Sequence, residues 1–112
     1  MVIHEKERFQ VIVNTLNELY KGLMIFQLAG SLAEKPASFH DADIIVHPTV
    51  PFDDQALKAF ARACTKAGNQ VVEIDKDSTT PFPGRPHGQY RVQVQFTGGE
   101  VVDMFFPKPA KK

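Results

Sequence analysis

The spacing of apolar positions changes several times along the chain, and each change marks an element. Between residues 5 and 21, Phe9, Ile12, Val13, Leu16, Leu19 and Tyr20 recur three and four residues apart. That is the period of a helix with one apolar face, and Gly22 suits its exit. Residues 24–29 form a short, largely apolar run that stops at Gly30-Ser31, which predicts a buried strand followed by a sharp turn. Ser31-Leu32-Ala33-Glu34 has the form of a capping box, while Pro36 turns Lys35 away from helical angles. A helix there is limited to about one turn, and a loop to His40 is predicted after it.

Residues 41–47, centred on Ile44, Ile45 and Val46 and closed by Pro48, read as a second strand. The helical period returns over 53–67, where Leu57, Phe60, Ala61 and Cys64 make the apolar stripe. Asp53 and Asp54 suit the positive end of that helix, and Gly68 suits its exit. Residues 70–74 predict a third strand. The stretch 78–88 contains Pro81, Pro83, Gly84, Pro86 and Gly88, so it is expected to be an exposed loop. Two β-rich runs, 90–96 and 101–106, flank Thr97-Gly98-Gly99-Glu100 and make the clearest hairpin in the chain.

This order predicts an α/β (α+β) fold: a mixed sheet of about five strands with helices packed on it. Neither a Gly/Ser linker nor a repeat divides the sequence, so one domain over residues 1–107 is expected, with 108–112 as a frayed tail. Its size lets a single core bury roughly two-thirds of the unfolded surface.

Charge changes the picture more than composition does. Thirteen basic residues balance thirteen acidic ones, so no broad positive field exists to attract a phosphate polymer, and a nucleic-acid partner is disfavoured. Cys64 is the sole cysteine, which excludes an internal disulfide and suits a reducing compartment. No run approaches the ~20 apolar residues of a membrane span, and the N-terminal residues lack an apolar signal core. A cytoplasmic address is the expectation.

Three carboxylates stand out against this background. Strand side chains alternate, so Asp41 and Asp43 point to one face with Cα atoms about 6.6 Å apart. Asp103 interrupts the apolar run 101–106, where a lone buried carboxylate is costly. Should the two strands lie side by side, the three carboxylates converge, and such a cluster is tolerable only with a cation or with strongly raised pKa values. Oxygen-only ligands favour Mg²⁺ or Mn²⁺. A plainer arrangement competes: Asp41 starts a strand, Asp43 faces solvent and Asp103 pairs with Arg91 across the hairpin. Gly30-Ser31 weighs against it, because a strand ending in Gly-Ser at a helix start turns backbone N–H groups toward an anion. Ser31 as a simple cap is compatible with that role.

Taken together, Gly30-Ser31, the nine residues 32–40, Asp41-Ala42-Asp43-Ile44 and the late carboxylate Asp103 resemble the nucleotidyltransferase superfamily of the DNA polymerase beta type. The resemblance implies a Gly30-Ser31 turn that holds a nucleoside triphosphate and Asp41, Asp43 and Asp103 that bind two divalent metal ions, Mg²⁺ or Mn²⁺. It further implies transfer of a nucleoside monophosphate to an acceptor hydroxyl, with Asp103 helping to activate the acceptor. Many relatives carry Gly-Ser-x-Ala-Arg-Gly, where this chain has Glu34-Lys35, which leaves Lys35 as the basic residue for the nucleotide. The chain resembles the minimal form of the superfamily, whose members often work beside a helical partner chain or form the antitoxin half of a toxin pair. A non-catalytic, partner-binding subunit is therefore the alternative function, and a homodimer through exposed sheet edges is a further expectation.

Other residues read more plainly. His40 precedes Asp41 but fits an exposed loop, His4, His47 and His87 have no metal-ligand spacing, and Arg85 belongs to the Pro/Gly loop. Cys64 fits an inert core thiol, and Phe9, Phe26, Phe60, Phe96, Phe105 and Phe106 fit the core.

Overall fold

The computed structural model describes residues 3–38, 42–78 and 88–109. In chain order the elements are β1 (His4–Glu5), α1 (Lys6–Leu19), β2 (Met24–Ala29), α2 (Ser31–Glu34), β3 (Ala37–Ser38), β4 (Ala42–Pro48), α3 (Asp54–Lys66), β5 (Gln70–Ser78), β6 (Gln89–Gln95) and β7 (Val101–Pro107). Five strands form one mixed sheet in the order β2-β4-β7-β6-β5, and β1 pairs with β3 in a separate small ribbon. Among the described residues only β4 and β7 run parallel; the other pairings are antiparallel. The fold is thus the expected α+β class, a five-stranded mixed sheet with three helices.

Period-two alternation separates the two faces of the sheet. Ala42, Ile44 and Val46 of β4, Val92 and Val94 of β6, and Val102 and Met104 of β7 are fully buried. They meet Phe9, Val13 and Leu16 of α1 and Leu57, Phe60 and Cys64 of α3 in one core. The intervening residues, among them Asp43, Arg91, Gln93 and Asp103, therefore project from the opposite face. α3 starts as its sequence dictates, with the Asp53 carboxylate accepting the Ala56 N–H at 2.9 Å. The hairpin turn closes through Phe96 N–H to Glu100 O at 2.8 Å and Gly99 N–H to Phe96 O at 2.9 Å. Arg8 of α1 ties that turn down, donating to Glu100 at 3.1 Å and to the Gly98 carbonyl at 2.9 Å.

Several expectations are corrected. Leu19, assigned to the apolar face of α1, is 70% exposed, because the core takes a narrower stripe of that helix, Phe9, Val13 and Leu16 with Ile12 and Tyr20 packed against them. β2 was expected as a buried strand, but only one face of the sheet meets the core, so Phe26 and Leu28 are buried while Ile25 and Gln27 face outward. β5 continues to Ser78, four residues beyond the expected end, because pairing with β6 sustains it through two register shifts. The strands β1 and β3 lie where a helix start and a loop were predicted, and two-residue bridges leave no periodic signal. Lys108, expected in the tail, is anchored 3.0 Å from Asp77 and lies over the Tyr90 ring. The Pro/Gly segment 79–87, with Arg85 and His87, lies outside the described residues, as do Asp41 and His40.

The outer edge of β2 is not open along its length. Asn17 of α1 donates from Nδ2 to the Phe26 carbonyl at 2.9 Å and accepts the Phe26 N–H on Oδ1 at 2.7 Å. These are the two bonds an added strand would make at that position. Asn17→Leu is expected to cost about 1–3 kcal/mol by stranding the buried Phe26 backbone. It should also produce concentration-dependent dimers in sedimentation velocity; a variant as monomeric and as stable as the parent would show that the clamp is idle.

Candidate functional site

β4 and β7 lie in parallel register with Asp43 opposite Asp103. Register partners on neighbouring parallel strands point to the same face, and their backbones are about 4.8 Å apart. The chain thus brings together two acids separated by sixty positions of sequence, on the face of the sheet away from the core. Parallel pairing is the cause: the hairpin places β7 beside β6, and β7 then accepts β4 on its other side.

β2 delivers the turn to the same place. Its last residue, Ala29, pairs with Asp43, so Gly30 leaves the sheet directly beside that carboxylate. Gly30 has φ 67° and ψ −150°, a region open essentially to glycine alone. A Cβ built there would meet Asp43 Oδ2 at 3.1 Å. The missing side chain therefore makes room first for Asp43. Gly30→Ala is expected to destabilise the protein by about 1–3 kcal/mol through backbone strain and to displace the Asp43 carboxylate. Urea denaturation checks the first effect; an unchanged midpoint would refute it.

Ser31 is the first residue of α2, and Gly30 occupies the cap position. No side chain caps this helix, so the capping box anticipated from Ser31 and Glu34 does not form. The physical reason is the Gly30 conformation, which carries the backbone into the turn one residue earlier. Lys35 ends α2 exposed and extended, its N–H bonded to the Ser31 carbonyl at 3.0 Å. A basic group the sequence did not single out also reaches this segment: Lys6 Nζ donates to Ala33 O at 3.0 Å. Its only sequence signal was a lysine at the start of the first helix.

Asp103 is not the lone buried carboxylate that its apolar neighbours suggested. Its side chain is 15% exposed and lies 3.2 Å from Arg91 Nη1, while Arg91 Nη2 lies 2.9 Å from Glu73 Oε1. The pairing of Asp103 with Arg91 across the hairpin therefore exists, together with the convergence of Asp103 on Asp43. One guanidinium spans three strands, from Glu73 on β5 through β6 to Asp103 on β7. Partial burial pulls the Arg91 pKa down, but the hydrogen bond to Glu73 and the charge and hydrogen bond of Asp103 outweigh it. The guanidinium is held above its ordinary value.

Among the described residues, no three His, Cys, Asp or Glu side chains form a group that could hold a metal ion. Asp41, the third expected ligand, lies outside them. The two acids that are described suit a hard divalent cation in donor type and in sharing one face, and the Gly30 turn abuts one of them. An open cleft of about 690 Å³ lies at the hairpin turn and the start of α1, lined by Arg8, Gln93 and Glu100 among others and by neither acid; Gln93 is the β6 register partner of Asp103.

The remaining candidates fall where their chemistry suggests. Cys64 is buried, and burial pushes its thiol up to about 11, which leaves it protonated and unreactive at neutral pH. His4 packs edge-on against Phe9, and His47 lies 3.2 Å from the Gln27 side chain. Phe105 is buried yet stands apart from the main core cluster, since it alternates onto the same face as Asp103.

The sequence matches no known family model and no curated protein. No helix among the described residues is long and apolar enough to cross a membrane.

Proposed function

We propose that this chain is a metal-dependent nucleotidyltransferase that moves a nucleoside monophosphate from a nucleoside triphosphate to an acceptor hydroxyl. The observation that carries the reading is the register of Asp43 with Asp103 on parallel strands, beside the glycine turn that ends β2. Asp43 and Asp103, with Asp41, would hold Mg²⁺ or Mn²⁺, whose charge supplies Lewis-acid stabilisation to a phosphoryl centre and its leaving group. The backbone N–H groups at Gly30 and Ser31 would donate to phosphate oxygens, and Lys35 offers a cation to the same phosphates. Asp103 would take up the proton of the acceptor hydroxyl. Positioning and charge neutralisation do most of such catalysis.

Titration calorimetry of ATP, GTP, CTP and UTP into the protein tests this, with Mg²⁺ and again with chelator. Binding of at least one nucleotide only when metal is present supports the reading. Silence with all four sinks the stand-alone enzyme.

A second reading has one observation in its favour. Arg91 already neutralises Asp103, so the site is tolerable without bound metal, as a partner-binding subunit of the same fold requires. A helical protein that copurifies with the chain, together with no metal-dependent nucleotide binding, would select it.

A further inference from the structure

Arg91 places a fixed cation where the proposed function needs a metal ion. We propose that Arg91 is the resident counter-cation of the site, holding Asp103 in the metal-free protein and releasing it to divalent metal while staying anchored on Glu73. The inference rests on the metal-site reading of Asp43 and Asp103 and adds to it the group that governs metal entry.

Three features of the geometry carry it. Arg91 is divided between two acids, with Nη2 on Glu73 at 2.9 Å and Nη1 on Asp103 at 3.2 Å. The two bonds use different nitrogens, so one can break while the other persists. Their surroundings also differ, since Glu73 is 55% exposed and Asp103 is 15% exposed. The exposed pair is a weak, solvated tether that costs little to keep. The Asp103 pair lies against the sheet, where the carboxylate would otherwise face Asp43 with no opposite charge from β6 or β7. An ammonium or guanidinium there relieves like-charge crowding between register neighbours. A divalent ion held by Asp43 and Asp103 would do the same more strongly, and its charge would repel the guanidinium. Metal binding and the Arg91–Asp103 bond therefore compete for one carboxylate.

Competition has a sign that a merely structural ion pair lacks. Removing the guanidinium should tighten metal binding, whereas removing its outer tether should return Arg91 wholly to Asp103 and weaken metal binding. The probe is Mn²⁺ alone, with free Mn²⁺ counted by electron paramagnetic resonance in the presence of the full chain. Arg91→Met is expected to bind Mn²⁺ about three- to tenfold more tightly than the parent, the range that one partly exposed charge interaction supplies. Glu73→Gln, at an exposed position that leaves the fold intact, is expected to bind it more weakly by about twofold to threefold. Thermal melts of both variants accompany the titration.

The outcomes separate the inference from the reading beneath it. Opposite shifts in the two variants support the counter-cation role, as does Mn²⁺ binding that appears only in Arg91→Met and disappears when Asp103→Asn is added. Parent binding that Asp43→Asn abolishes but Arg91→Met leaves unchanged or weakens overturns this inference and leaves the metal site standing. Absence of Mn²⁺ binding in the parent and in both variants overturns both.

Discussion

Asp43→Asn is expected to weaken Mn²⁺-dependent nucleotide binding by about a hundredfold or more, since loss of even a group that supports a metal ligand costs roughly 10- to 100-fold. The asparagine keeps the size of the side chain and one acceptor oxygen, so position 43 stays filled beside Ala29 and Asp103. What it removes is the formal charge and half the oxygen donors that a hard cation requires. Far-ultraviolet circular dichroism and a cooperative melt should therefore persist while calorimetric binding collapses. Retained nucleotide affinity with an intact fold would remove Asp43 from the site and leave the register with Asp103 without chemical meaning.

The largest structural effect is expected at Phe106. Its side chain is 0% exposed, stacked on Phe52 at 4.4 Å and 9° and edge-on to Phe60 at 5.0 Å. Phe60 in turn meets Tyr20 and Phe26, and Phe52 meets Tyr90. The ring thus joins β7 to α3 and to the segment that leads into α3. Phe106→Ala should cost about 3–5 kcal/mol, a lost transfer term plus an unrelaxed cavity. Paired rings add about 0.5–1.5 kcal/mol each beyond buried area. Against a total stability of roughly 5–15 kcal/mol, that leaves a marginal protein. The urea midpoint should fall sharply with an unchanged slope; a loss under ~1.5 kcal/mol would show that the aromatic cluster is not what seats α3 on the sheet.

The two expectations draw on different kinds of information. Phe106 was legible from the sequence as a core residue, because the apolar, aromatic-rich run 101–106 reads as a mostly buried strand. Asp43 and Asp103 were legible as candidates, Asp43 for sharing a strand face with Asp41 and Asp103 as a carboxylate interrupting an apolar strand. Their meeting was conditional on the strands being neighbours, a condition that local periodicity does not contain. Arg91 was foreseen only as an alternative partner for Asp103, not as a bridge to Glu73 on β5, since residue 73 pairs with residue 93 only after a register shift. The capping role assigned to Ser31 failed because the cap position was taken by Gly30, in a backbone conformation open essentially to glycine alone.

By itself, then, the sequence determined the longer helices and strands, most of the apolar stripe of α1 and of α3, the hairpin and the helix start at Asp53. All of these follow from contacts a few residues apart, where side-chain period and backbone preference decide. The tertiary structure decided the sheet order β2-β4-β7-β6-β5, the parallel pairing that sets Asp43 beside Asp103, the Asn17 clamp on the β2 edge and the Arg91 bridge. Each of these joins segments far apart in the chain, and their register is set by the burial of a shared core that no single segment can specify.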